Sequence, residues 1–262
     1  MLNFIDVHTH LTDKILYDNI NEVYTGFKTL GVNFVCDCGC SLETSKKCKD
    51  NAEKFNEVYF MAGIHPDKAN SFNLTELLKI EELACHKKCL GIGEIGLDYH
   101  YEGYDRTKQL DLFYNQLLLA NKLNMPVVIH CRDACKDTVD MLKSNKHLLN
   151  NGFLMHCFSE SLETAKELIK IGGYFSFGGT LTFKNSKRWE VLKEIPLERV
   201  LFETDAPYLA PTPFRGSINE PKNVVKVYEY ASNILDISID NLVYAIETNF
   251  KNLFKKVCSQ TI

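Results

Sequence analysis

Short apolar runs of β type recur along the chain at Leu2–Val7, Asn33–Cys38, Val58–Ile64, Cys89–Ile95, Pro126–Ile129, Phe153–Met155, Gly173–Phe177 and Arg199–Glu203. Between them, apolar residues fall three and four apart, the spacing of a helix with one buried face. Leu110, Phe113, Leu117, Leu118 and Leu123 form one such stripe. Leu162, Ala165, Leu168 and Ile169 form a second, and Val224, Val227, Tyr228, Ala231 and Leu235 a third. Strands that alternate with helices pair in parallel through crossovers. Eight such repeats in about 250 residues predict an α/β fold of the TIM type, a (β/α)8 barrel. A doubly wound open sheet is the structural alternative. No linker, low-complexity stretch or change of composition divides the chain, so residues 1–262 are expected to form a single domain. The segment Ala206–Lys222 holds four of the seven prolines and follows the last strand. It is expected to be a long loop on the active face.

Composition narrows the classes. With 45% apolar and 24% charged residues the chain is an ordinary globular protein, not a disordered, collagen-like or coiled-coil one. Its formal charge of -4 makes the whole surface a poor magnet for nucleic acid. Any polyanion must therefore be held by local basic groups or metal ions. No apolar run approaches the ~20 residues that span a bilayer, and Asp6 interrupts the apolar start. No membrane role and a cytoplasmic location are expected. Ten cysteines without a C-x-x-C pair are expected to be small buried thiols in a reducing compartment.

Histidine placement supplies the chemistry. Of eight histidines, five close predicted strands: His8 and His10 the first, His65 the third, His130 the fifth and His156 the sixth. Glu94 ends the fourth strand and Asp205 the eighth. Barrel enzymes build their sites from the C-terminal ends of several strands. His8 and His10, two apart on a strand, point to one side and reach one ion. Imidazoles with a few carboxylates suit Zn, Mn or Fe, and carboxylate-richer sites suit Mg.

Six segments, read in order, resemble the TatD family of metal-dependent deoxyribonucleases, barrels of the amidohydrolase-like class. They are Asp6-Val-His-Thr-His10, Gly63-Ile-His-Pro66, Gly91-Ile-Gly-Glu-Ile-Gly-Leu-Asp-Tyr99, Pro126-Val-Val-Ile-His-Cys-Arg-Asp-Ala134, His156-Cys-Phe-Ser159 and Glu203-Thr-Asp-Ala-Pro-Tyr-Leu209. The resemblance continues to Thr248-Asn-Phe-Lys-Asn-Leu-Phe254 and so covers essentially the whole chain. It implies two divalent ions (Mg, Mn or Zn). His8, His10, Glu94 and Asp205 would hold one. Glu94, His130 and His156 would hold the other, with Glu94 as the bridge. His65 resembles a histidine beside the scissile phosphate. The family often has glycine where Glu160 stands and histidine where Asp67 stands, departures that touch the mouth but replace no ligand.

The expected activity is hydrolysis of phosphodiester bonds, trimming single-stranded DNA from its 3′ end, with that polarity implied by the resemblance alone. RNA is a possible substrate of the same chemistry. Glu94, Asp205 and His65 are the catalytic candidates, with Asp205 also the general base. Asp6 and Glu203, two residues from a ligand, are candidates to orient imidazoles. Arg132, two residues past His130, and Arg215, in the long loop, are candidate phosphate donors; the alternative for Arg132 is an ion pair with Asp133 or a loop carboxylate. Tyr99, Tyr101, Tyr104 and Tyr208 either stack on bases or pack. The competing substrates are misacylated tRNA, as for a D-aminoacyl-tRNA deacylase, and a small-molecule amide. Glu94, in place of a carboxylatable lysine on the fourth strand, favours the nuclease. A non-enzymatic scaffold is disfavoured because no ligand of the pattern is missing. A monomer is expected.

Overall fold

The computed structural model describes residues 2–256. Eight parallel strands lie side by side in chain order. They are β1 (Phe4–Thr9), β2 (Val32–Cys38), β3 (Val58–Ala62), β4 (Cys89–Asp98), β5 (Val127–Arg132), β6 (Phe153–Met155), β7 (Gly173–Phe177) and β8 (Val200–Phe202). The helices are α1 (Lys14–Tyr17), α2 (Ile20–Thr29), α3 (Leu42–Lys54), α4 (Leu74–Ala84), α5 (Arg106–Lys122), α6 (Cys135–Ser144), α7 (Leu162–Ile169), α8 (Arg188–Glu194), α9 (Val224–Leu235) and α10 (Ile239–Leu253). The predicted barrel is therefore present, and every predicted strand has its counterpart. Most strand residues are buried, as expected when helices cover a parallel sheet. The helix starts are encoded locally: Ser41 and Asn73 build capping boxes, and Asp105, Ser161 and Ser238 accept from first-turn amides.

Closure matters most for the site. The seam between β8 and β1 is joined by Asp205 N donating to His8 O (3.0 Å) and His10 N donating to Ala206 O (2.8 Å). The buried Asp6 carboxylate adds to it by accepting from Thr204 N (2.9 Å) and Thr204 Oγ1 (2.5 Å). Asp6 thus seals the barrel rather than touching an imidazole ring. The seam brings residues about 200 positions apart in sequence into one cluster.

Two polar clamps fix other strand ends. Gln109 and Gln116 sit two turns apart on the buried face of α5. Gln109 pairs with both backbone groups of Asp98 (2.8 and 2.7 Å). Gln116 does the same for Ile64 (2.8 and 2.8 Å), the residue before His65. Each amide satisfies a donor and an acceptor that burial would otherwise leave costly. The predicted α5 stripe is partly displaced by this arrangement: Leu112, Phe113 and Leu117 are buried, whereas Leu118 is exposed. No helix among the described residues is long and apolar enough to cross a membrane. The described cysteines are all free thiols.

Candidate metal centre

The C-terminal strand ends surround a cavity of about 790 Å³. Glu94 lies at its floor, almost fully buried, with both carboxylate oxygens engaged. Oε2 stands 3.4 Å from His8 Nε2 and 3.5 Å from His10 Nε2. Those two nitrogens are 3.3 Å apart, and Asp205 Oδ1 lies 3.7 and 3.3 Å from them. Oε1 stands 2.7 Å from His130 Nδ1 and 2.8 Å from His156 Nε2, which are themselves 3.3 Å apart. Five of the six predicted donors therefore form two groups that share Glu94, His8 with His10 and His130 with His156, while Asp205 groups with His8 and His156.

These sets fit divalent cations. Donors about 2.1 Å from one tetrahedral ion stand about 3.4 Å apart, near the spacing of the His8, His10 and Glu94 atoms and of Asp205 from the two imidazoles. The tautomers agree. His10 Nδ1 lies 3.2 Å from Cys38 O, a carbonyl that only accepts, so Nδ1 carries the proton and Nε2 offers its lone pair. His130 Nε2 lies 3.1 Å from Asp98 Oδ2, which leaves Nδ1 for the Glu94 side. Nitrogen lone pairs facing each other at 3.3 Å need a cation or a proton between them. His156 Nδ1 and Glu203 Oε1 are buried, have no hydrogen-bond partner, and face one another at 3.6 Å. Ser176 donates to the other Glu203 oxygen. Glu203 is thus poised to orient His156, as Asp98 orients His130.

The electrostatics show how tightly the groups are coupled. Burial alone would push the Glu94 carboxyl up, but His156, His130 and His8 hold it well below the usual carboxylate range. Burial likewise opposes charge on His156, yet Glu94 and Glu203 raise it well above an ordinary imidazole. His130 is raised against its burial by Asp98 and Glu94. His8 is lowered by burial and by His156, whose ring stacks on it at 3.9 Å. Asp205, held down by His10 against its own burial, adopts a left-handed backbone (φ 54°). Such a conformation persists only where its surroundings enforce it, and here the seam bond from Asp205 N to His8 O ties the residue down.

His65 reaches the same cavity, with Nε2 3.8 Å from Glu94 Oε1 and Nδ1 2.9 Å from Asp67 Oδ1. The departure at Asp67 therefore contacts a predicted catalytic residue. Arg132 lines the cavity with its guanidinium 5.2 Å from the Tyr101 ring, in place of the alternative pair with Asp133, which binds His100 instead. Arg215 is not among the cavity-lining residues, because the loop turns its guanidinium onto the Phe183 ring at 4.4 Å. Arg188, which no sequence signal singled out, lines the cavity and donates to Ser159 O. Tyr101 and Tyr208 line the mouth, whereas Tyr99 stacks on Tyr104 at 4.6 Å and donates to Asp137. Asp98 also went unpredicted; β4 runs three residues beyond its expected end at Ile95. Counting Asp13, Asp67 and Asp98 with Glu94 and Asp205, five carboxylates and two guanidiniums line the cavity. The mouth is more acidic than its two predicted carboxylates imply.

Comparison with known proteins identifies the family. The family model described as TatD related DNase matches residues 5–255. YabD of Bacillus subtilis, named an uncharacterised metal-dependent hydrolase, is 38% identical over 251 residues, covering 95% of this chain and 98% of its own. YcfH of Escherichia coli, named likewise, is 32% identical and covers 95% of both chains. The crystal structure of the TatD homologue YjjV of Escherichia coli superposes with a TM-score of 0.90 at 26% identity, over 96% of this chain and 98% of that one. The chain is a metal-dependent hydrolase that belongs to the TatD-related DNase family.

Proposed function

We propose that this chain hydrolyses phosphodiester bonds of single-stranded DNA, trimming the strand from its 3′ end at a two-ion centre bridged by Glu94. The observation that carries this reading is the pair of donor sets sharing Glu94 at the cavity floor. His8, His10, Glu94 and Asp205 would hold one ion, and Glu94, His130 and His156 the other. When bound, such ions neutralise phosphate oxygens, stabilise the leaving oxygen and lower the pKa of water toward ~7.

The chain's own residues supply the rest. Asp205, kept ionised by His10, accepts the proton of the attacking water. His65, steadied at Nδ1 by Asp67, presents Nε2 toward the reacting phosphate. Arg132 and Arg188 offer guanidinium forks at the mouth. Tyr101 and Tyr208, both exposed, give flat surfaces for terminal bases.

Protein stripped with chelator and mixed with 5′-labelled single-stranded DNA tests the reading. Adding Mg, Mn or Zn is expected to yield a ladder shortening from the 3′ end, absent with Glu94→Gln. Intact DNA after incubation with protein shown to carry two ions would contradict it.

A further inference from the structure

The opposite end of the barrel is charged in the other sense. Turns leading into β6, β7 and β8, together with the end of α10, frame an open cleft of about 610 Å³. Lys146, Lys170, Arg199 and Lys255 line it, and no Asp or Glu is among the lining residues. The three lysines are solvent-exposed. Among the described residues, none of the four cations has an ion-pair partner, whereas many lysines elsewhere do, such as Lys47 with Glu43, Lys122 with Glu81 and Lys226 with Glu229. Arg199 instead lies over the Tyr174 ring at 4.9 Å.

Four like charges around one cleft repel one another in the free protein, and an anion relieves that repulsion. Several lysines on flexible stems suit a chain of phosphates better than one fixed anion, because each acts as a mobile point charge. The cavity at the other end is lined by five carboxylates against two guanidiniums. Two divalent ions would leave it only weakly positive. The cleft therefore offers a long polyanion fixed cationic support away from the place where it is cut.

We propose that this cleft is a second nucleic-acid site, which holds the phosphodiester backbone of a single strand at the N-terminal end of the barrel, independently of base sequence. It rests on the reading above that the substrate is DNA.

Fluorescence anisotropy with a labelled strand of about 30 nucleotides, longer than the ~4–16 that one strand-binding fold covers, tests it. The triple variant Lys146→Ala/Lys170→Ala/Lys255→Ala is expected to weaken binding by about tenfold or more at moderate salt. The slope of log K against log salt should fall by about 2, given ~0.7 per phosphate contact on a single strand. Turnover of a strand of about four nucleotides should be unchanged, since it is too short to occupy both ends. A control variant, Lys47→Ala/Lys122→Ala/Lys226→Ala, removes the same charge elsewhere and should leave the affinity near wild type. Equal losses in both variants, an unchanged affinity and slope in the first, or no binding by the wild-type chain would each overturn the proposal. Wild-type protein that binds through the cleft but cuts no DNA would support the cleft and sink the nuclease reading. Cleavage alongside unaltered binding in the triple variant would do the reverse.

Discussion

At the C-terminal end of the strands, buried imidazoles and carboxylates lie within hydrogen-bonding range of one another, each fixed by a neighbour. At the N-terminal end, the cleft cations are largely in water and have no ion-pair partner among the described residues. Both ends belong to the same eight strands, yet they obey different physics. Groups at the first end are desolvated, so their interactions are strong and a small displacement is expensive. Charges at the second are screened beyond ~8 Å, so they contribute graded, salt-dependent attraction with little demand on geometry. Substitutions should accordingly act steeply at one end and shallowly at the other.

The steepest response is expected at Asp205. Asp205→Asn should lower turnover by about 100-fold or more, since a positioned general base contributes ~10²–10⁴. Steady-state cleavage rates at saturating metal check this, and a near-normal rate would remove the assigned role. Gln116→Leu should cost about 3 kcal/mol of stability in denaturant unfolding, because both backbone groups of Ile64 lose their partner inside the core. A cost within the error of the extrapolation would show that the clamp is redundant.

Asp98→Ala removes the acceptor for His130 Nε2 and should weaken metal affinity by about 10–100-fold, the usual effect of losing an outer partner. Competition with a chromophoric chelator measures it. Acidity gives a further effect. His130 and His156 have raised values in the metal-free chain, so each holds a proton above the ordinary imidazole range that a cation must displace. Metal affinity should therefore rise with pH, with up to three protons released because the His10 value is raised as well, measurable by calorimetry in buffers of different ionisation enthalpy. The same shifts stabilise the metal-free fold below pH ~6.5, and that contribution is lost as pH rises through the folded values. The melting temperature of metal-free protein should fall across this range from these groups while the gain on adding metal grows. A metal affinity flat between pH 6 and 8 would contradict the assignment.

The shallowest response belongs to the other end. Lys170→Ala alone should change stability by no more than ~0.5 kcal/mol, as for an exposed side chain without a close ion pair. A clear fall in unfolding free energy would erase the contrast between the two ends.

Legibility in the sequence follows the same divide. His8, His10, Glu94, His130, His156 and Asp205 could be picked out because each lies at or just beyond a predicted strand end, a position the repeat makes visible. Asp98 could not, because its strand is prolonged by a glutamine from α5, and a polar residue on the buried face of a helix breaks the apolar pattern. Arg188 reaches the cavity from α8, distant in sequence from every motif. Arg215 was expected at the mouth from its loop alone, but the path of a loop is set by contacts such as Phe183, which periodicity does not encode. The cleft was invisible because Lys146, Lys170, Arg199 and Lys255 are single charges that meet only when the barrel closes.

One buried glutamate, Glu94, is expected to join two divalent ions. Crystals soaked in Mn and measured for anomalous scattering test it most directly. Two peaks, one on each side of Glu94 and both lost in Glu94→Gln, are the predicted result. A single peak, or strong peaks out of reach of Glu94, would contradict it.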